Sequence, residues 1–263
     1  MTAGTGHRGR ATLAATVLVL MGGAGEAVGQ DLRAAIEGAP DGYVRFEYAT
    51  RPGVCGDGDY ISIDEGRVWR GGSNRDERRC EDGPARIELR ISGREVVDLD
   101  VEVGGAWRPR RDVTVLGEVD PAEAAGYLFD LAERSNTGAA EDALFPATIA
   151  RGVEGWPRLL EIARTGSRRD VREQAVFWLG HEAGERAARG LVSIIEDEDE
   201  LSLREHAVFA LAQRPEPTAV DALIEVARES PEPALRKRAI FWLGQRGDDP
   251  RVLALFEELL RGG

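Results

Sequence analysis

Two short histidine–glutamate pairs are candidate metal-binding residues in this sequence. They are His181-Glu182 and Glu205-His206. A zinc hydrolase motif on a helix needs a second histidine four residues after the first, and Glu185 occupies that position. The sequence also carries no nucleophile elbow, Walker or dinucleotide-binding glycine motif. It therefore predicts a protein that is not an enzyme and that uses no metal or cofactor.

The first thirty residues have the pattern of a secretory signal. Arg8 and Arg10 precede the apolar stretch 11–21, and small residues follow it up to Gly29. The apolar stretch is shorter than the roughly 20 residues that cross a bilayer. We expect cleavage before Gln30, export to the periplasm or beyond the cell, and no membrane span afterwards. The alternative is an uncleaved N-terminal anchor.

Export decides how the two cysteines are interpreted. Cys55 and Cys80 lie in the same region, and in an oxidising compartment such a pair predicts a disulfide. A loop of this length stabilises a fold by about 3 kcal/mol in the chain-entropy model. A redox-active pair would need C-x-x-C spacing, and a metal site would need further ligands nearby.

Charge restricts the class of partner. The chain carries a net charge of −13, which disfavours binding to nucleic acid because phosphates would be repelled. One short basic segment with a tryptophan, residues 107–111, is predicted to be an exposed loop. A protein partner is the expectation.

The N-terminal half alternates with the period of strands. After a short helix predicted at 31–38, strands are predicted at the segments 43–50, 60–64, 85–92, 95–103 and 113–119. We expect them to form a small antiparallel sheet. Residues 51–83, which hold both cysteines, are expected to be a long irregular loop.

The C-terminal half is helical and repetitive. Asp120 and Pro121 are typical of a helix start, and a helix is predicted over 120–134. Beyond it, segments 171–180, 203–212 and 235–244 align at a spacing of 32 residues, and 143–147 is a degenerate earlier copy. About four two-helix units, each unable to bury its apolar face alone, predict a stacked α-solenoid.

These segments resemble a known family. V-R-x-x-A-x-x-x-L-G, a turn, and A-x-x-x-L-I-x-x-A resemble the short HEAT-like repeat, which also occurs in phycobilisome lyases. With residues 51–58 and 241–245, the whole resembles bacterial exported proteins that place a small β domain before HEAT repeats. That resemblance implies no activity. Bilin attachment is disfavoured by export, and the related di-iron hydroxylase uses more His-Glu pairs than this chain contains.

The predicted organisation has four parts within an α+β class. They are a signal peptide at 1–29, a disulfide-stapled β domain at 30–118, a capping helix with linker at 119–138, and HEAT-like repeats at 139–263. Phe177-Trp178-Leu179-Gly180 and Phe241-Trp242-Leu243-Gly244 recur within the repeats. We expect the aromatic residues to pack between layers, and the glycines to end helices.

Two columns on the second helices are the candidate partner-binding residues. The 32-residue register groups Glu161, Ser193, Glu225 and Glu257, and beside them Arg164, Glu196 and Arg228. Glu161/Arg164 and Glu225/Arg228 have the i,i+3 spacing of helix-stabilising ion pairs. The acidic run 196–200 is expected to be a solvated turn. The sequence thus predicts an exported, non-catalytic protein-binding scaffold. The alternative is an enzyme or small-ligand-binding protein with a site in the β domain or the interdomain cleft.

Overall fold

A computed structural model describes residues 31–58, 60–63, 67–70, 80–182, 184–214 and 217–261; the predicted signal peptide lies outside the described residues. These described residues belong to one compact unit. Its strands, within the described residues, are β1 (Gly42–Tyr48), β2 (Val54–Gly56), β3 (Ile61–Ile63), β4 (Arg67–Arg70), β5 (Glu81–Asp82), β6 (Ala85–Ser92), β7 (Glu95–Val103) and β8 (Val113–Glu118). One short helix precedes the strands and the other helices follow them, which confirms the α+β class.

The main sheet has the strand order β7-β6-β1-β8. Val44, Phe46 and Tyr48 alternate along β1 into the core, as the period of two predicts. β6 and β7 form a hairpin in which Ser92 pairs with Glu95. The two loop residues, Gly93 and Arg94, both have positive φ, which suits the right-handed twist of the strands.

The expectation of a wholly antiparallel sheet is wrong, because β8 pairs with β1 in parallel. A parallel neighbour requires a crossover connection, and residues 104–112 supply it by passing across the polar face of the sheet. Trp107 lies there with the guanidinium carbons of Arg45 and Arg86 4.7 Å and 5.1 Å from its ring centroid. Trp107 of the basic segment is therefore packed on the sheet, while residues 108–111 are exposed and form a loop, as predicted.

The predicted irregular loop at 51–83 contains a second sheet, with the order β4-β3-β2-β5. Cys55 lies on β2, opposite Asp82 of β5, and is disulfide-bonded to Cys80 with the two Cα atoms 5.1 Å apart. The predicted pairing is thus present, but it links β2 to the residue that precedes β5, within a sheet instead of an irregular loop. Strands this short carry too few residues for a period of two to be visible.

The helices of the described residues are α1 (Leu32–Glu37), α2 (Pro121–Arg134), α3 (Ala139–Asp142), α4 (Leu144–Thr148), α5 (Trp156–Thr165), α6 (Arg169–His181), α7 (Glu185–Asp197), α8 (Leu201–Ala212), α9 (Pro217–Glu229), α10 (Pro233–Gly244) and α11 (Pro250–Arg261). α6, α8 and α10 start 32 residues apart, at Arg169, Leu201 and Pro233, and so confirm the period. They are the first helices of their repeats; α5, α7, α9 and α11 are second helices. α3 and α4 replace one first helix, and α2 begins with Asp120 as its N-cap.

Strands and helices share one hydrophobic core. The buried Tyr48 hydroxyl donates to the carbonyl oxygen of Pro146 at 2.5 Å. Just beyond β1, Thr50 pairs with Ala150 in an antiparallel bridge. The backbone N–H of Arg51 donates to Ile149, 2.8 Å away. The sheet is therefore fixed to the start of the helical array by backbone hydrogen bonds and by packing.

The aromatic residues of the first helices pack between layers, as predicted. Trp178 lies 4.9 Å from Phe145 of the preceding repeat, and Trp242 lies 5.1 Å from Phe209, between ring centroids. The prediction that Gly180 ends its helix is wrong. Gly180 lies inside α6, where an added Cβ would stand 2.9 Å from the Cβ of Ala210. This position needs glycine because α6 and α8 approach closely.

Candidate interaction surface

The second helices expose one face because their other face is fixed in the core. Leucines at 32-residue intervals, Leu159, Leu191, Leu223 and Leu255, are each fully buried. Residues two and five positions later therefore lie on the outward side of each helix, since a helix turns through 3.6 residues.

The predicted partner-binding residues lie on that outward side. Exposed members are Glu161, Arg164, Glu196, Glu225, Arg228 and Glu257. Ser193 is half-buried, and its Oγ donates to the carbonyl oxygen of Gly190 at 2.7 Å. The structure thus places both columns on second helices of successive repeats.

The predicted i,i+3 ion pairs are not among the contacts of the described residues. Arg164 instead reaches Asp197 of the next repeat at 3.3 Å, and Arg228 reaches Glu258. Glu161 pairs with Arg158 at 2.9 Å. A long arginine side chain on a stacked helix has carboxylates available on the neighbouring helix as well as on its own.

A column of arginines on the first helices holds the second helices in place. Arg172 Nε donates to the carbonyl oxygen of Ala163 at 2.8 Å, and Arg204 Nε to that of Ile195 at 2.7 Å. Arg236 uses Nη1 instead, and donates to the carbonyl oxygen of Ser230, the residue after α9, at 2.6 Å. The last carbonyls of a helix lack partners within it, so a cation at this end satisfies them and suits the helix dipole.

Arg214 is a structural residue that sequence reasoning missed. Its side chain is buried, and its Nη1 lies 2.6 Å from the carbonyl oxygen of Glu182 and 3.3 Å from those of Leu179 and Gly180. Nη2 donates to Gly184 at 2.9 Å. Arg246, 32 residues later, donates to Ala212 at 2.8 Å. The 32-residue spacing of Arg214 and Arg246 could have identified them as equivalent positions. The repeat before them has Glu182 at that position, so the arginine does not recur in every repeat.

The acidic run 196–200 is only partly a solvated turn. Glu198 is bonded to Arg172 at 2.6 Å, and both side chains are largely buried. Glu200 contacts Arg169 at 3.0 Å. Glu196 and Asp197 belong to α7, and Glu196 projects to solvent. The run therefore joins two repeats through ion pairs and leaves Glu196 on the outer surface.

Two open clefts lie where the strands meet the helices. The first, of about 710 Å³, has Glu47, Arg51, Asp82, Glu118 and Arg151 among its lining residues. The second, of about 590 Å³, is lined by Arg51 and Trp156 together with His181, Glu182 and Arg186. Both mix acidic and basic groups, and Arg51 contributes to each. These clefts are the places where a small ligand could meet several polar side chains.

The histidines of the two His-Glu pairs lie in different surroundings. His181 Nδ1 donates to the carbonyl oxygen of Phe177 at 2.9 Å, and its ring lies 4.5 Å from that phenyl ring. His206 lies 3.8 Å from Glu173. In the part of the chain that the structure describes, no group of three or more His, Cys, Asp or Glu side chains could hold a metal ion.

One carboxylate pair has oppositely shifted pKa values. The hydrogen bond from Arg168 lowers the pKa of Asp170 from 3.8 to about 2. Partial burial raises the pKa of Glu141 above 4.5, and the hydrogen bond to Asp170 is a smaller cause in the same direction. In the folded protein Asp170 therefore stays ionised at a pH where Glu141 holds its proton.

These shifts predict two opposite slopes of stability against pH. Asp170 contributes stability that is complete above its unfolded pKa of 3.8 and is lost as the pH falls towards 2. Glu141 acts in the reverse sense, and its contribution is lost as the pH rises above 4.5. In urea titrations at several pH values, Asp170→Asn should flatten the first slope and Glu141→Gln the second. Equal slopes in both variants and the wild type would contradict this assignment.

One family model agrees with the repeat architecture of the C-terminal residues. A family model described as HEAT repeats matches residues 188–263. Among solved structures, the chain is similar to human deoxyhypusine hydroxylase in complex with glycerol, at 23% identity and a TM-score of 0.40. That similarity covers 48% of this chain and 44% of the hydroxylase chain, so less than half of either protein. No curated protein sequence matches significantly.

The helical half of the chain is a HEAT-like solenoid, and its residues 188–263 match the model of HEAT repeats. HEAT repeats commonly provide extended surfaces for protein interactions. Among the described helices, none has both the length and the apolar character needed to cross a membrane.

Proposed function

We propose that this chain is an exported, non-catalytic scaffold that binds a protein partner through the outward face of its second helices. One observation carries the proposal. Seven side chains selected by the 32-residue register lie on successive second helices, and six of them are exposed. A regular row of exposed polar groups on a rigid support suits a large partner surface better than a small substrate.

Export is the second part of the proposal. It rests on the signal pattern at 1–29 and is supported by the Cys55–Cys80 disulfide, since such bonds persist in oxidising compartments. Cell fractionation followed by N-terminal sequencing tests it. The mature protein should begin near Gln30 and be recovered outside the cytoplasm. Recovery of an intact N-terminus from the cytoplasm would contradict export.

Crosslinking in intact cells tests the interaction surface. A photoreactive amino acid is placed at Glu161 or Glu257, on two separate second helices of the full chain. The matched controls carry it at Lys237 and His206, which are exposed on first helices. We expect the same partner at both second-helix positions and none at the controls. Equal capture at all four positions, or capture at the controls alone, would contradict the proposal.

The clefts favour a second candidate function, in which a small charged ligand binds between strands and helices. The supporting observation is the mixed charge of the 590 Å³ cleft around Arg51 and Arg186. Screening of charged metabolites by thermal shift tests it, because a ligand that binds only the native state raises the melting temperature. A ligand whose effect disappears in Arg186→Ala would support this function over the scaffold.

A further inference from the structure

The groove between α7 and α9 differs in charge from its neighbour in the array. Its floor is apolar and consists of Val192, Ile195, Ala222, Val226 and Pro231. The cavity measures about 240 Å³, which is enough for one large side chain. Glu196, Glu225 and Glu229 line its rim, and all three are exposed.

The equivalent position one repeat earlier, between α5 and α7, carries an ion pair. Arg164 and Asp197 meet there at 3.3 Å. A shift of 32 residues places Glu196 at the position of Arg164 and Glu229 at the position of Asp197. Two carboxylates therefore occupy the positions that hold opposite charges one repeat earlier. Like charges at such positions repel each other.

The structure provides little compensation for this charge. Within the described residues, no ion pair engages Glu196, Glu225 or Glu229. The nearby Arg204 lines the groove, but its Nε is bonded to the carbonyl oxygen of Ile195 at 2.7 Å. The groove thus combines an apolar floor with three carboxylates against one guanidinium.

We propose that the α7–α9 groove binds an extended basic segment of a partner protein. An apolar side chain of the segment occupies the floor, and a neighbouring arginine or lysine lies between Glu196 and Glu229. Charge complementarity identifies this occupant, and the apolar floor distinguishes it from a free metal cation. The proposal rests on the scaffold function and adds the chemistry of the partner.

A peptide-binding measurement on the full chain tests the groove. The probe is a fluorescent dodecapeptide of alternating arginine and leucine; the control peptide has glutamate in place of arginine. Glu196→Arg recreates the charge arrangement of Arg164 and Asp197, so its guanidinium should bridge to Glu229 and close the groove. We expect affinity for the basic peptide to fall at least about tenfold, because a like charge now opposes the arginine that would lie between Glu196 and Glu229.

Asp248→Asn is the control, because it removes one exposed charge from the turn before α11, outside the groove and outside both columns of candidate partner residues. Its affinity should stay within about twofold of the wild type, the size of a weak surface ion pair. The melting temperature of Glu196→Arg should equal or exceed that of the wild type. The double variant Glu225→Gln/Glu229→Gln, which introduces no new group, should lose about fivefold or more in affinity, as expected for two ion pairs.

Unchanged binding of the basic peptide by Glu196→Arg and by the double variant would overturn the groove assignment. Equal affinity for the acidic peptide would also overturn it. Either result leaves the scaffold proposal standing, because that proposal is judged by crosslinks at Glu161 and Glu257, outside the groove.

Discussion

Arg214→Met is expected to destabilise the protein by about 3 kcal/mol or more, since buried groups would lose their charged partner. The guanidinium of Arg214 contacts the carbonyl oxygens of Leu179, Gly180, Glu182 and Gly184. These groups end α6 and begin the turn to α7. Methionine fills part of the same volume but donates no hydrogen bond, so several carbonyls would be left buried without it. Urea unfolding monitored by circular dichroism measures the loss.

Arg246→Met is the matched control for this effect. Arg246 occupies the same position one repeat later and donates to the carbonyl oxygens of Ala212 and Arg214. It is only half-buried, so water can replace the lost donor. We expect a loss of about 1 kcal/mol, the value of an ordinary hydrogen bond. A smaller effect at Arg214 than at Arg246 would refute the role assigned to the buried guanidinium.

Gly180→Ala and Gly244→Ala are expected to change stability in opposite directions, although the two glycines occupy equivalent positions. An added Cβ at Gly180 would stand 2.9 Å, 3.1 Å and 3.2 Å from the Cβ, O and Cα of Ala210. Two of these atoms are backbone, so α6 and α8 must move apart. We expect a loss of about 2 kcal/mol from overpacking, which exceeds the gain of about 1 kcal/mol in helix propensity.

Gly244 has no such neighbour among the described residues. Its added Cβ would come within ordinary contact distance of Phe256 alone, at 3.8 Å. Alanine there should stabilise the protein through its higher helix propensity, by at most about 1 kcal/mol. The gain should be smaller than this limit because Gly244 lies at the end of α10. Melting temperatures of the two variants provide the measurement. A stabilising Gly180→Ala substitution would show that the layers are not in close contact at this point.

The repeats were predictable because similar residues recur at equivalent positions in several repeats. Ala175, Ala207 and Ala239 give the same indication at 32-residue intervals, and all three are fully buried. The β6–β7 hairpin was predictable because both strands are long enough to show alternation. By contrast, β2 and β5 have three and two residues, too few for any period.

The direction of β8, the role of Gly180 and the ion-pair partner of Glu161 were not predictable, because each depends on contacts between distant parts of the chain or on a choice between equivalent neighbours. The parallel direction of β8 depends on the path of residues 104–112, which no local pattern specifies. A glycine near a helix end suits both a cap and a close contact, so Gly180 was ambiguous. The register placed the candidate partner residues on one surface. It could not choose between Arg158 and Arg164 as the partner of Glu161, because either side chain can reach it.

The backbone bridge between Thr50 and Ala150 has a consequence for how the molecule folds and unfolds. An isolated solenoid has contacts only between neighbouring repeats, so it can fray from either end. Here the pairing of residues about 100 positions apart ties the N-terminal end of the array to the sheet. Such non-local contacts slow folding and couple the elements they join. The opposite end has no such tie within the described residues, and Phe241 and Leu260 are 58% and 84% exposed there. Amide hydrogen exchange should therefore be slowest in α4 to α6 and become progressively faster towards α11. The array would then unfold from α11 towards the sheet.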